Sequence, residues 1–213
     1  MSLVSYAQVD LKPRGMRLGV DIIPPVSSLL ETGRQAFEFH GDVQIDKFLI
    51  NADYGFADVQ TQGPNFLYSN SGSYMRFGAD FNITHRNPFG DAIFVGFRYG
   101  TASFDESLRH AFQVPTWGIL ADTTTASGVT AGWAEMVGGL KARVKDNIFL
   151  GFTIRYRLAN SVKSPVPGLE TFEIPGFGRN GATGFGLSYH VMYRIPFRKP
   201  TPPKLDGLII KEE

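Results

Sequence analysis

Apolar and polar side chains alternate with a period of two in eight separate runs of this chain, each bounded by turn residues. The runs cover 15 to 23, 35 to 45, 48 to 59, 73 to 84, 91 to 103, 131 to 144, 148 to 158 and 183 to 197. One parity carries Asp21, Glu38, Asp42, Asp53, Asp80 and Glu135, with Arg17, Arg76, Arg98, Lys141, Arg143, Arg155, Arg157 and Arg194. His40 and His190 share that parity. The opposite parity is free of charge in the interior of every run and is filled by side chains such as Leu18, Phe39, Phe77, Phe97 and Tyr193. Successive side chains of a strand alternate faces, whereas a helix returns every 3.6 residues. The chain therefore reads as all-β: an eight-stranded antiparallel up-and-down β-barrel.

The connections alternate as well. Those after odd strands are long (24 to 34, 60 to 72, 104 to 130, 159 to 182), and those after even strands are short (46 to 47, 85 to 90, 145 to 147). Outer-membrane barrels show this asymmetry, with both termini on the short-turn side when the strand number is even. Periodicity alone does not say which face is apolar outward, but volume does. Eight strands enclose room for a filling of side chains or one small ligand, and the roughly ten Phe and five Tyr of the apolar parity exceed that space. The apolar face then points outward, and the barrel reads as transmembrane. Gly55, Gly78, Gly100 and Gly186 lie on the charged parity, where they make room for long neighbours inside a narrow lumen. Charges enclosed there must be paired, so the expectation is a lumen plugged by ion pairs.

The balance of 21 Lys and Arg against 20 Asp and Glu gives a net charge of +1 and no reason to expect nucleic acid. With no cysteine there is neither a disulfide framework nor a thiolate metal site. The start, LVSYAQ, carries small residues at Ser5 and Ala7, as the end of a cleaved secretory signal does; a plain flexible N-terminus is the alternative. No run of eighteen apolar residues exists, which excludes an ordinary transmembrane helix and leaves a barrel open. The organisation is a segment 1–12 with a signal remnant, a barrel 13–197, and a Pro-rich tail 198–213 expected in the periplasm.

The opening strand RGMRLGVDI, the turn and strand THRNPFGDAIFVGFRYG, the hairpin AGWAEMVGGLKARVKDNIFLGFTIRYR and the closing YHVMYRIPF together resemble the small outer-membrane β-barrel proteins, and more narrowly an uncharacterised barrel family of Bacteroidota. The resemblance covers residues 13 to 197. It implies a barrel in the bacterial outer membrane with periplasmic termini, and it lends no catalytic residues.

Enzymes on such barrels place His and Ser at the outer rim, and Ser107 and His110, beside Asp105 and Glu106, are the candidates here. Their Ser-x-x-His spacing in a loop is weak support, since nucleophile and base are recognised by geometry. His85 belongs to a short turn. No HExxH, CxxC, P-loop or GxGxxG context is present, so neither metal nor cofactor is expected. GFGRNGATGFG (176 to 186) reads as a hairpin, not a phosphate loop. Long loops are usually functional or disordered, and the apolar content here argues against disorder; the loops either fold over the barrel mouth or bind a partner, which makes Phe112, Trp117 and Phe172 candidate binding residues. Leu205, Leu208 and Ile209 are a further set in the tail.

The function expected is a non-enzymatic outer-membrane barrel serving as a structural anchor or accessory subunit of an envelope complex. Its partners would be membrane lipid and another envelope protein, docked through 104–130, 159–182 or 198–213. A rim-located lipid-modifying hydrolase and a soluble barrel binding a hydrophobic ligand are the alternatives.

Overall fold

The computed structural model describes residues 12–85, 87, 89–114, 116 and 118–197. Eight strands close into an antiparallel barrel: β1 (Pro13–Asp21), β2 (Arg34–Ile45), β3 (Phe48–Gln62), β4 (Phe66–Asn82), β5 (Ala92–Val114), β6 (Gly118–Lys145), β7 (Ile148–Lys163) and β10 (Thr183–Pro196). Neighbours in sequence pair with one another, and β10 returns to pair with β1. Between β7 and β10 lies a small hairpin, β8 (Glu173–Ile174) and β9 (Gly178–Arg179). At the lower end, tight turns at Asp46 and Asp146 join the strands; both residues take positive φ, 48° and 44°. That is the left-handed conformation that two-residue hairpins require and that Asp tolerates better than most residues.

In the lower barrel the outward face keeps the expected apolar parity, and the inward face carries the charges together with a small apolar layer of Leu49, Ala92, Phe94 and Val137. Phe97 is 63% exposed on the outer face, and its strand neighbour Arg98 is buried inside. The strands, however, run further than the alternation suggested. The connection expected at 60 to 72 narrows to 63–65, because β3 and β4 continue to pair as far as Gln62↔Leu67. The loop expected at 104 to 130 is a paired hairpin out to Val114↔Gly118. Its extension was hidden because polarity reverses along the same strands. Asp58, Gln60, Ser71 and Asp105 face outward, while Ala57, Val59, Ala102, Phe104, Val129 and Trp133 are buried inside. The upper barrel thus has a polar exterior and an interior that is apolar around Trp133, with Asn70 and Glu106 buried beside it, so the outward polarity is the inverse of the lower part.

The expected first loop, 24 to 34, contains a helix, α1 (Ile23–Leu30). Pro24 and Pro25 stand in its first turn, where their missing N–H groups cost nothing. Asp21 Oδ1 accepts the Ile23 N–H at 3.0 Å, and the Ser28 hydroxyl accepts the Ala36 N–H at 2.9 Å, tying the helix to β2.

Candidate functional site

Both ends of the lumen are closed by the chain itself. At the top, Ile174 and Phe177 of the small hairpin are buried against Tyr74, Phe104 and Trp133, with the Phe177 and Trp133 rings edge-on at 5.7 Å. Gly176, at φ +78°, permits this, since a side chain there would run into the Tyr74 ring. The loop 159 to 182 therefore folds into the mouth. At the bottom, the turn between β4 and β5 lies across the opening. Arg17 donates to the Gly90 carbonyl at 3.0 Å, Arg194 to Phe89 at 2.9 Å and Arg14 to His85 at 3.2 Å.

Five carboxylates organise the charge between these plugs. Lowest is Asp42, which pairs with Arg17 Nη2 at 2.8 Å and Lys141 Nζ at 2.6 Å, with His40 Nε2 at 3.3 Å. Next is Asp53, bonded to His40 Nδ1 at 2.5 Å, Arg98 Nη1 at 3.0 Å and Arg76 Nε at 3.3 Å. Asp80 takes the other arm of Arg98 at 2.8 Å. Uppermost, Glu38 pairs with Arg76, with Arg155 Nη2 at 3.1 Å, and accepts the Tyr74 hydroxyl at 2.6 Å. Glu135 accepts the Trp133 indole N–H at 2.7 Å and lies 3.8 Å from Arg157 Nε.

All these side chains except Arg157 are at most a few per cent exposed. An uncompensated ion there would cost several kcal/mol, on the order of a buried charge taken from water. Mutual pairing across β1 to β7 offsets that cost.

Four expected members of the network behave differently. Arg143 is exposed at the lower rim, its guanidinium over the Phe89 ring at 4.4 Å, and is not lumenal. This correction follows from its position, one inward step below Lys141 and past the closed floor. Arg194 sits half-buried at the same opening. Asp21 is buried but holds backbone, accepting the Ile23 and Tyr189 N–H groups at 3.0 Å each. His190 is buried with neither ring nitrogen hydrogen-bonded, its ring 4.3 Å from that of His40.

The scattered histidines thus partly converge. His40, Asp53 and His190 bring ligand-type atoms within 4.8 Å of one another, as do Asp21, Glu38 and His190. Asp53 and Glu38 are already committed to guanidinium groups, so a divalent ion would have to displace an arginine. Tyr74 and Trp133 were missed from sequence, although both are aromatic residues standing on the charged parity, and that anomaly was the available signal. Lys141 was recognised as a polar-face base but not as the partner of Asp42.

Ser107 and His110 lie on β5, three residues apart, so strand geometry directs them to opposite faces. Glu106, beside them in sequence, is buried and accepts from Tyr68 and Thr171 at 2.9 Å each. Phe112 is exposed near the tip of the β5–β6 hairpin, and Phe172 is partly exposed at the mouth beneath the Arg179 guanidinium. Trp117, Leu205, Leu208, Ile209 and the tail 198–213 lie outside the described residues, as does the segment 1–11.

With the barrel's geometry in hand, sequence comparison adds a family. A family described as a domain of unknown function (DUF6048) matches residues 4–200. The chain belongs to the DUF6048 family. No curated protein matches it significantly. For this DUF6048 member the match spans the whole closed barrel, from β1 through β10, and both lumenal plugs.

Proposed function

We propose that the protein is an integral outer-membrane barrel, its termini in the periplasm, acting without catalysis as an anchor or accessory subunit of an envelope complex. The observation that carries this reading is the reversal of polarity along the strands. A soluble barrel has no reason to invert its inside and outside partway up, whereas a barrel leaving a bilayer must do so at the interface. On β3 the outward apolar positions run from Phe48 to Phe56, about 27 Å along the strand and about 21 Å along a barrel axis at a tilt of ~40°. That approaches the ~25 Å apolar band of outer-membrane barrels. The eight-strand lumen, filled by ion pairs, leaves the molecule no pore function.

The accessory role rests on the β5–β6 hairpin. Phe112, Ile119 and Leu120 are exposed near its tip. β6 gains a β7 partner only from Thr130 onward, so its upper segment offers an unpaired edge. Ser107 and His110, on opposite faces of β5, do not favour each other as nucleophile and base. Membrane fractionation of native cells, followed by mild-detergent purification with and without residues 111–121, tests both parts. Recovery in the soluble fraction would overturn the membrane reading, and an unchanged set of co-purifying proteins after the deletion would overturn the role of the hairpin.

A further inference from the structure

The barrel wall has a seam. β1 stops at Asp21, paired with His190 of β10 and Glu38 of β2. Above that level, residues 183–188 of β10 and 34–37 of β2 have no β1 strand between them. α1 occupies the gap without a fully buried side chain, with Pro24 and Ser27 half-buried and Leu29 86% exposed. A cavity of about 450 Å³ opens here, lined by Pro24 and Ser27 of α1 and by Leu187 of β10. Leu187 belongs to the outer apolar face and is 53% exposed. The same cavity is lined by the inward-facing Arg34, Arg155 and Arg157 and by the exposed Arg179 of the small hairpin. The cavity therefore joins the outer belt to the upper lumen through the side of the barrel.

Its interior carries more cation than anion. Five arginines, Arg34, Arg76, Arg155, Arg157 and Arg179, line it against Asp21, Glu38 and Glu173. Arg34 is satisfied by Glu31 and Glu173, and Arg76 and Arg155 share Glu38. Asp21 is spent on backbone N–H groups. Two charges remain. Arg157 donates to the Phe177 carbonyl, but its Nε has no acceptor and stands 3.8 Å from the nearest Glu135 oxygen. Arg179 rests on the Phe172 ring and meets no carboxylate among the described residues. Gly186 keeps this space open, since a Cβ there would strike the Arg157 guanidinium.

We infer that this cavity binds the anionic headgroup of an outer-leaflet lipid, a phosphate ester above all, admitted sideways between α1 and β10. The inference rests on the membrane reading above. The phosphate would be met by Arg157 and Arg179, groups whose planar donors suit it. The acyl chains would stay outside along Leu187 and Phe185, which are both exposed. Leu187 brings the outer apolar face to the edge of the cavity, which favours a lipid, while Phe172 and Arg179 border it at the mouth.

The test uses the full-length barrel in phosphatidylcholine nanodiscs, with and without a few per cent phosphatidic acid, and native mass spectrometry to count retained phosphatidic acid. Wild type is expected to retain phosphatidic acid in preference to phosphatidylcholine. Arg157→Gln and Arg179→Gln should each weaken retention at least about tenfold, the effect of one charge-assisted hydrogen bond. Arg157 touches the buried hairpin, so the exposed Arg179→Gln variant keeps the test valid if the first fails to fold. Inorganic phosphate, titrated against the same barrel in detergent, is the second arm. Binding of free phosphate without retention of phosphatidic acid would overturn the lateral lipid site, as would equal retention by wild type and Arg179→Gln. A barrel that never enters the nanodiscs overturns the membrane reading itself, and is recognised before any lipid is counted.

Discussion

Neutralising Glu38 is the sharpest perturbation of the lumen, because Glu38→Gln keeps shape and the Tyr74 contact while removing one charge. At the 3.1 Å between Glu38 and Arg155, one pair interacts by about 5 kcal/mol at an effective dielectric of ~20. Arg76 supplies a second interaction. Neutralising the carboxylate recovers its desolvation cost of several kcal/mol, so the net loss is about 3–5 kcal/mol, that of a buried pair with one partner removed. Most of the loss should fall on Arg155, whose remaining carboxylate, Glu135, stands 3.9 Å away, whereas Arg76 keeps Asp53 at 3.3 Å. The double variant Glu38→Gln/Arg155→Gln removes the stranded charge and should recover at least about 1 kcal/mol relative to the additive expectation. Urea unfolding of the barrel in lipid vesicles, followed by tryptophan fluorescence, measures both. A Glu38→Gln variant within about 1 kcal/mol of wild type, or strictly additive losses, would refute the claim that pairing sustains the lumen.

Asp80→Asn should cost no more than about 2 kcal/mol in the same assay, since Arg98 retains Asp53 at 3.0 Å and Asp80 Oδ1 already lacks a partner. Gly100→Ala would drive a Cβ into the Trp133 indole and should destabilise by about 1–3 kcal/mol, while Gly138→Ala, whose nearest neighbour is 3.8 Å away, should leave the urea midpoint unchanged. Phe97→Arg on the outer belt should hinder insertion into vesicles by about 2–4 kcal/mol if it lies near the midplane, whereas Ser71→Arg, beyond the reversal of polarity, should insert normally. Burial, opposed by the Asn70 amide and assisted by Glu106, pushes the Tyr68 phenol from 10.0 up to about 12. The unfolded chain then loses that proton first, so Tyr68 makes stability fall between about pH 10 and 12; Tyr68→Phe should flatten that part of the unfolding-against-pH curve.

What the sequence made legible is the lower barrel, where the signals agree. Around Phe97, Arg98 and Tyr99 the apolar and charged sets separate cleanly, and the short turns at Asp46 and Asp146 support the same register. The upper barrel was misread as loops for a physical reason. Through Ser69, Ser71, Asp105 and Thr125 the outward face becomes polar, and Ala57, Ala102 and Ala131 make the inward face small and apolar. An alternation that inverts partway along a strand looks like one that has ended. The individual ion pairs were hidden for a different reason. Glu38 and Arg155 are 117 residues apart, and their meeting depends on the stagger of strands around the ring, which composition does not encode.

The two halves of the barrel also hold themselves together differently, and this gives the charged lumen a purpose beyond filling space. The upper half has an ordinary apolar core around Trp133 and Phe177. The lower half has only a small apolar layer, Leu49, Ala92, Phe94 and Val137, because strands apolar on both faces throughout would lose the alternation that specifies which side faces outward. A charged interior marks one parity unambiguously, so a slip of one residue would carry Arg98 and Asp53 onto the apolar belt. Ion pairs are a poor source of net stability compared with apolar packing, but they make the wrong register far worse than the right one. The pairing of Arg98 with both Asp53 and Asp80, from β5 to β3 and β4, ties three adjacent strands to one register in this way.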